Sequence, residues 1–164
     1  MRFRRDPLDG VEQLIPRVYA YVAYRIGHGP DAEDVTSECF ERAVRYRHRY
    51  DGKRGEPLAW LIGIARRLVA DHRPSAWCEY DEELHDLAVT DDLSEDAVRR
   101  LSVQAAVSQL AAREQELIAL RYGADFTARQ IGAQMDMSAH AVEVALGRAE
   151  ERLRSALGRR LVLG

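Results

Sequence analysis

The chain has 164 residues, of which 46% are hydrophobic and 31% charged, and its formal net charge is −3. No run approaches the roughly 20 apolar residues that a membrane-spanning helix needs, and the opening "MRFRRDPLDG" lacks the apolar core of a secretory signal. We therefore expect a cytoplasmic, globular protein in which Cys39 and Cys78 are reduced thiols.

Charge divides the chain into three segments. Residues 1–73 and 97–164 each carry a net charge of +3, whereas residues 74–96 carry nine acidic residues and no basic ones. Because like charges repel in an extended segment, we interpret residues 74–96 as an acidic flexible linker between two small domains. Within the first domain, residues 42–73 hold nine basic and three acidic groups, a local excess that is typical of nucleic-acid contact.

The first domain shows helical spacing throughout. Apolar residues recur every three or four positions from Val11 to Ile26, and Pro16 predicts a break or a new start within that helix. The stretch "DAEDVTSECFERAVRYRHRY" has acids in its first turn and arginines in its last, as the helix dipole favours. A loop is expected at residues 51–57, which contain two glycines and a proline, and "LAWLIGIARRLVADHR" is the next predicted helix.

The second domain has the layout of a helix-turn-helix between Phe126 and Leu153. Thr127 and Ser138 are expected to cap its two helices, and Asp136 is expected to take the left-handed conformation in the turn. No alternating strand pattern occurs anywhere in the sequence. The predicted fold is therefore all-α: two small helical domains joined by the acidic linker, the second containing the helix-turn-helix.

The second helix of this motif predicts one buried and one outward face. A 4-3-4 spacing assigns Val142, Leu146, Ala149 and Leu153 to the core. The outward residues would enter a major groove; they are Ala139, His140, Glu143, Val144, Gly147 and Arg148. An ordinary helical hairpin shares the same apolar spacing and is the alternative interpretation.

Basic and aromatic residues coincide in the first domain. Lys53 and Arg54 lie in the glycine-rich loop just before Trp60, and the following helix carries Arg66, Arg67, His72 and Arg73. Arginines beside aromatic rings grip phosphates and stack on unpaired bases. Core packing is the alternative role for Trp60, and a solvated face is the alternative for the arginines.

Four sequence blocks occur in an order that resembles a known family. They are "AEDVTSECFERAV", "WLIGIARRLVADHR", "REQELIALRY" and "GRAEERLRSAL". Over roughly residues 8–158 the chain resembles the extracytoplasmic-function (ECF) sigma factors, the two-domain initiation factors of bacterial RNA polymerase. The resemblance implies core RNA polymerase, through its β′ clamp and β flap, and promoter DNA as partners. It also implies that an acidic helix face docks on the β′ coiled coil, formed here by Asp34, Ser37, Glu38 and Glu41.

The same resemblance implies two DNA surfaces. The first would melt the minus-ten element and hold a flipped base; its residues are Lys53, Arg54, Trp60, Arg66, Arg67, His72 and Arg73. The second would read the minus-thirty-five element; its residues are Thr127, Ser138, His140, Glu143, Val144, Arg148 and Arg152. The chain departs from the usual pattern at Arg67 (usually Asn), Ser37 (usually Gln), Glu143 (usually Lys) and Ala145 (usually Arg).

Promoter-directed initiation has one rival from another class, a sigma-like module that binds an anti-sigma factor or polymerase without reading a promoter. An anti-sigma partner is expected under either interpretation. A simple helix-turn-helix repressor does not explain residues 1–73. An enzyme is not expected, and neither is a cofactor or metal, because His72, Cys78 and His85 have no compact ligand spacing.

Overall fold

The computed structural model describes residues 5–73 and 95–163 of the chain, and within these residues it contains helices and no strand. This confirms the predicted all-α fold. The linker expected at residues 74–96 lies outside the described residues except for Glu95 and Asp96, which open a helix. The helices are α1 (Val11–Ile26), α2 (Pro30–Tyr46), α3 (Pro57–Asp71), α4 (Glu95–Ser108), α5 (Ala112–Ile118), α6 (Ala128–Met135) and α7 (Ala139–Leu163).

Residues 5–73, called here the first lobe, form a three-helix unit in which α1, α2 and α3 all pack against one another. Val22 of α1, Cys39 of α2 and Leu61 of α3 are completely buried. The Cys39 thiol donates a hydrogen bond to the carbonyl oxygen of Leu61 over 3.4 Å, which ties α2 to α3. A 3₁₀ turn at Arg47–Arg49 then leads out of α2 toward the loop at residues 51–57.

The break predicted at Pro16 does not occur, because α1 is a single helix that contains this proline. Proline at this position deprives the carbonyl of Glu12 of its helical N–H partner. Both Glu12 and Pro16 are exposed, so water can hydrate that carbonyl. The apolar face of α1 packs on either side of the missing hydrogen bond and keeps the helix continuous, a tertiary effect that local propensity does not reveal.

Residues 95–163, called here the second lobe, contain the predicted helix-turn-helix in α6 and α7. The Thr127 hydroxyl accepts a hydrogen bond from the Gln130 amide at 3.3 Å, and the Ser138 hydroxyl accepts one from the Ala141 amide at 3.1 Å. Asp136 has φ 55° and ψ 51°, the left-handed conformation expected in the turn. Val142, Leu146 and Ala149 are buried as predicted, and Leu153 is partly buried against the same core. The caps, the turn and the core face are confirmed.

The two lobes pack directly against each other, which the sequence did not indicate. A π-helical turn at Ala119–Gly123 extends α5 and lies against α1. A Cβ atom placed on Gly123 would lie 2.7 Å from both the Cα and the amide nitrogen of Tyr21. The absence of a side chain at Gly123 therefore lets the backbones of the two lobes meet, and one hydrophobic cluster runs from Val18 in the first lobe to Ala149 in the second.

We expect Gly132→Ala to destabilise the helix-turn-helix, because its Cβ would meet the backbone carbonyl oxygen of Met137 in the turn. Overpacking against an atom that cannot rotate away should cost about 1–3 kcal/mol. Gly147 of α7 has open space where a Cβ would lie, so Gly147→Ala should gain up to about 1 kcal/mol from helix propensity. Urea unfolding of both variants checks this pair, and equal effects would contradict it.

Candidate nucleic-acid interface

The acidic face predicted on α2 is exposed to solvent. Asp34, Ser37, Glu38 and Glu41 are all exposed, and their spacing places them on one side of the helix. The opposite side, with Val35 and Cys39, is buried against the rest of the first lobe. Glu38 forms an ion pair of 2.7 Å with Arg42 one turn later, which leaves the face net negative and able to receive a basic partner.

The loop at residues 51–57 is a compact turn held by its own hydrogen bonds. The Tyr50 hydroxyl donates to the Gly55 carbonyl at 3.0 Å, and the Lys53 amide donates to the Asp51 carboxylate at 3.0 Å. The side chains of Lys53 and Arg54 are exposed. An open groove of about 800 Å³ lies between this loop and the start of α1. The loop thus presents two cations beside a recess.

Trp60 serves the packing of this loop. Its ring is half-buried and lies 5.5 Å from the Tyr50 ring, centroid to centroid, at an interplanar angle of 57°. This tilted arrangement is a favourable aromatic contact. Trp60 therefore packs against its own loop, as in the alternative interpretation. Only the exposed part of its ring is available to stack on a base.

The four basic residues predicted on α3 are placed differently from one another. Arg67 and Arg73 are exposed. His72 Nε2 lies 3.4 Å from a carboxylate oxygen of Asp31 at the start of α2. Arg66 points away from the outer surface and into the second lobe, so the structure brings only part of the predicted minus-ten group to one surface.

A buried cluster of charges joins the lobes, and we name it the Glu116 cluster after its one acid; the other members are Tyr21, Arg25 and Arg66. The Glu116 carboxylate lies 2.8 Å from Arg66 Nε and 3.3 Å from Arg25 Nε. It also accepts a hydrogen bond from the Tyr21 hydroxyl at 2.9 Å. Glu116 comes from the second lobe, and the three groups around it come from the first.

Burial and charge keep the Tyr21 hydroxyl in its donor form. Burial of the ring raises the pKa of Tyr21 far above its usual value, and the neighbouring Glu116 carboxylate raises it further. The hydroxyl therefore stays protonated and donates to the carboxylate. The buried Nε of Arg25 makes no hydrogen bond within the described part of the chain. It nevertheless lies within ion-pair distance of Glu116.

Three arginines of the first lobe also donate hydrogen bonds to backbone carbonyls of the second lobe. Arg17 Nη2 donates to the Ala124 carbonyl at 2.6 Å, and Arg25 Nη1 donates to the Ala112 carbonyl at 2.7 Å. Arg66 Nη1 donates to the Gln134 carbonyl. Every arginine of this interface thus has a backbone acceptor across the lobes.

The predicted reading face of α7 is exposed. His140, Glu143 and Arg148 are exposed, and Val144 retains 42% of its exposure, a large value for an apolar side chain. Arg152 is exposed as well but forms an ion pair with Glu114 of α5. Thr127 and Ser138 are exposed caps. The face therefore combines the acid Glu143, the apolar Val144 and the cation Arg148. The second arginine, Arg152, is already paired with an acid of the same lobe.

Sequence reasoning missed the residues that join the lobes. Tyr21 and Arg25 lie on a helix that was interpreted as an ordinary packed element, and Glu116 lies in a block quoted only for its resemblance. The one available signal was a glutamate at the start of the apolar run "ELIAL", because an acid that becomes buried with such a run requires cationic partners. Nothing local identified those partners, since Tyr21 and Glu116 are 95 positions apart.

Comparison with protein families decides the classification. Residues 11–78 match the model of sigma-70 region 2, and residues 100–153 match that of sigma-70 region 4. The chain belongs to the sigma-70 family. The first match begins with α1 and the second lies within residues 95–163, so each lobe carries one sigma-70 region.

Curated relatives place this sigma-70 protein in the ECF group. It is 36% identical over 118 residues to the ECF RNA polymerase sigma factor BldN of Streptomyces coelicolor, a match covering 68% of this chain but 45% of BldN. It is 29% identical over 167 residues to the RNA polymerase sigma factor CarQ of Myxococcus xanthus, covering 96% of this chain and 94% of CarQ. The chain thus spans under half of the first relative and nearly all of the second.

Solved structures share its fold across both lobes. The sigma factor RpoE of Bartonella quintana, crystallised with the anti-sigma factor NepR, superposes with a TM-score of 0.68 at 18% identity, covering 92% of this chain and 95% of that one. CnrH, solved with the cytosolic domain of CnrY, superposes with a TM-score of 0.64 at 23% identity, covering 92% and 89%.

No group of three or more potential metal ligands occurs within residues 5–73 and 95–163, and no helix of that part is long and apolar enough to cross a bilayer. Cys78 and His85, which were weighed as metal ligands, lie outside the described residues. Cys39 is a packed core residue, and burial raises the pKa of its thiol to about 12.

We predict that Cys39 is chemically inert in the folded protein. A thiol pKa of about 12 instead of 9.0 lowers its thiolate population roughly a thousandfold near neutral pH. In a Cys78→Ser background, labelling by a disulfide reagent at about pH 8 should be at least about 100-fold slower than in denaturing urea. Because the folded pKa is the higher one, this thiol should also reduce stability as pH rises above about 9. Rapid labelling of the folded chain would contradict the assignment.

Proposed function

We propose that this protein is a transcription initiation factor that binds core RNA polymerase and directs it to promoters with minus-ten and minus-thirty-five elements. One observation carries the proposal: both sigma-70 regions are present in order, and each presents an exposed face to a partner. The acidic face of α2 belongs to region 2, and the outward face of α7 belongs to region 4. We propose that it acts by binding, without catalysis of its own, and in the cytoplasm.

The polymerase contact is assigned to the acidic face of α2. Charge complementarity between this face and a basic partner would set the orientation of docking and accelerate encounter. Glu38 and Glu41 lie one turn apart and both are exposed, so a partner helix can meet them together. The β′ clamp is the partner that the family resemblance implies, and the β flap is the one it implies for region 4.

Minus-ten contact is assigned to the loop at residues 51–57 and to the exposed part of α3. Flipping a base out of a duplex costs a few kcal/mol of unstacking, which a pocket and basic neighbours must offset. The groove beside Lys53 supplies a recess. Arg67 supplies exposed charge on α3, and Arg73 supplies it just after that helix ends. Arg66 is held by the second lobe in this structure and joins this surface only when it is released.

Minus-thirty-five reading is assigned to the outward face of α7. Glu143 can accept a hydrogen bond from a cytosine amino group, and Val144 can pack on a thymine methyl. Arg148 is the exposed cation at the correct position for phosphate. Such a face reads bases with little phosphate attraction, so we propose narrow sequence choice and low affinity for duplex DNA outside the polymerase complex.

An anti-sigma factor is the third proposed partner. The structural relatives RpoE and CnrH were each solved with an inhibitory or cytosolic partner protein, NepR and CnrY. The rival function, binding such a partner without reading a promoter, is favoured by one feature, the acid at Glu143 on the reading face. In vitro transcription with core polymerase on a promoter library separates the two, since binding to core or to an anti-sigma without sequence-selective transcripts would favour the rival.

Glu38→Lys should weaken binding to core polymerase by at least about tenfold, because it reverses charge at the centre of the acidic face. Glu12→Lys, an equally exposed acid on α1, is the matched control and should change the affinity little. Binding of labelled protein to core polymerase measures both, and equal losses would remove α2 from the interface.

Arg148→Ala should weaken minus-thirty-five binding almost uniformly across sequences and lower the salt dependence by about one phosphate contact. Glu143→Lys should do the reverse: it adds a phosphate contact, tightens binding to duplex DNA and reduces selectivity. Binding of both variants to duplex libraries at several salt concentrations measures these effects. If affinity and selectivity are unchanged in both, α7 does not read the groove.

A further inference from the structure

The Glu116 cluster has the form of an occupied anion site. Three groups of the first lobe converge on one carboxylate from the second lobe: the Tyr21 hydroxyl donates a hydrogen bond to it, and Arg25 Nε and Arg66 Nε lie within ion-pair distance. Two positive charges surround one negative charge, so the cluster stays net positive even when filled. A phosphate oxygen presents the same acceptor chemistry to arginine as a carboxylate does.

The packed arrangement cannot read both promoter elements at once, if the proposed function is correct. Elements centred about 25 base pairs apart are separated by about 85 Å at about 3.4 Å per pair. A compact chain of this length has a radius of gyration of about 15 Å and a diameter of about 40 Å. Promoter reading therefore requires the lobes to separate, and separation removes Glu116 from the cluster.

Separation leaves the first lobe with an unfilled cation pair. The side chains of Arg25 and Arg66 keep only 16% and 30% of their exposure in the packed form, so separation opens both guanidinium groups to water and to any anion in it. Within residues 5–73 and 95–163, Arg25 Nε makes no hydrogen bond even when the lobes are packed. An incoming anion would restore the interaction with the arginines and offset the cost of opening.

We propose that Tyr21, Arg25 and Arg66 form a phosphate-binding site for promoter DNA and that Glu116 is its internal competitor. The chain then either holds its lobes together through Glu116 or binds a backbone phosphate at the same donors, but never both. DNA is the favoured source of the anion because Arg66 shares α3 with the exposed Arg67, and the exposed Arg73 follows two residues after the helix ends; these cations would continue the phosphate track. This inference rests on the proposed function and adds two α1 residues to its DNA surface.

The first test is the shape of the full chain in solution. Glu116→Gln should enlarge the radius of gyration measured by small-angle X-ray scattering, because the neutral amide cannot pair with two arginines. Glu114→Gln is the matched control: it lies on the same helix and removes the same charge, but Glu114 pairs with Arg152 inside the second lobe. That variant should keep the compact shape. Compact scattering from Glu116→Gln would overturn the proposal.

The second test is DNA affinity. Phosphate contacts carry no sequence information, so random-sequence 20-nucleotide single strands and duplexes serve as probes at low salt. If the packed form holds at least nine-tenths of the population, Glu116→Gln should bind about tenfold more tightly or better. The double variant Glu116→Gln/Arg25→Gln should lose that gain. A gain that survives Arg25→Gln, or a gain in affinity for core polymerase alone, would overturn DNA phosphate as the ligand.

A steric variant opens the lobes without altering any charge. Gly123→Ala would place a methyl group 2.7 Å from the Tyr21 backbone, so the second lobe must move away. It should reproduce both the larger radius and the tighter DNA binding, whereas Gly158→Ala, where a Cβ meets nothing, should reproduce neither. Opening by Gly123→Ala without tighter binding would also overturn the proposal.

Failure of this inference is distinguishable from failure of the proposed function. If the proposed function is wrong, the wild-type chain will give no sequence-selective transcripts with core polymerase, whatever its shape. If only the inference is wrong, the wild-type chain will initiate normally while Glu116→Gln and wild type bind the DNA probes equally well.

Discussion

The carboxylate of Glu116, held between two arginines and a tyrosine hydroxyl of the other lobe, is the interaction on which the arrangement of this molecule depends. Only 11% of the Glu116 side chain is exposed, so it could not be charged there without its partners. Removing one member of such a group typically costs about 3–5 kcal/mol. The contact therefore adds a charge-specific link to the hydrophobic packing that joins the two sigma-70 regions.

The outward face of α7 has an acid and an apolar residue before its first arginine, which departs from the usual chemistry of a DNA-binding helix. The contacts around α7 show which of its charged residues are already paired. Under the proposed function, Glu143 and Val144 supply base-edge contacts and Arg148 supplies a phosphate contact. Arg152 of α7 pairs with Glu114 of α5, and the Tyr122 hydroxyl donates to Glu150 of α7 at 2.8 Å. Arg152 and Glu150 thus serve the packing of α7 on its own lobe, and the proposal leaves recognition to the earlier residues of its outward face.

Much of each lobe could be predicted from the sequence because its determinants are local. Caps at Thr127 and Ser138, the left-handed Asp136 and the 4-3-4 spacing of α7 all follow from neighbours a few residues away, and all are confirmed. The predicted break at Pro16 was wrong, because the tertiary packing of α1 outweighs one lost hydrogen bond. The lobe interface could not be predicted because it also depends on tertiary contacts: Tyr21 and Glu116 meet only after each lobe has folded.

The hydrogen bonds to backbone carbonyls make the interface tolerant of side-chain substitution, whereas the ion pairs depend on one carboxylate. Arg17, Arg25 and Arg66 donate to the carbonyls of Ala124, Ala112 and Gln134, groups that every residue type possesses. Substitutions in the second lobe leave these three bonds available as long as the helices keep their course. Association of the lobes therefore depends on few side chains of the second lobe, chiefly the acid Glu116 and the small residue Gly123 beside Tyr21.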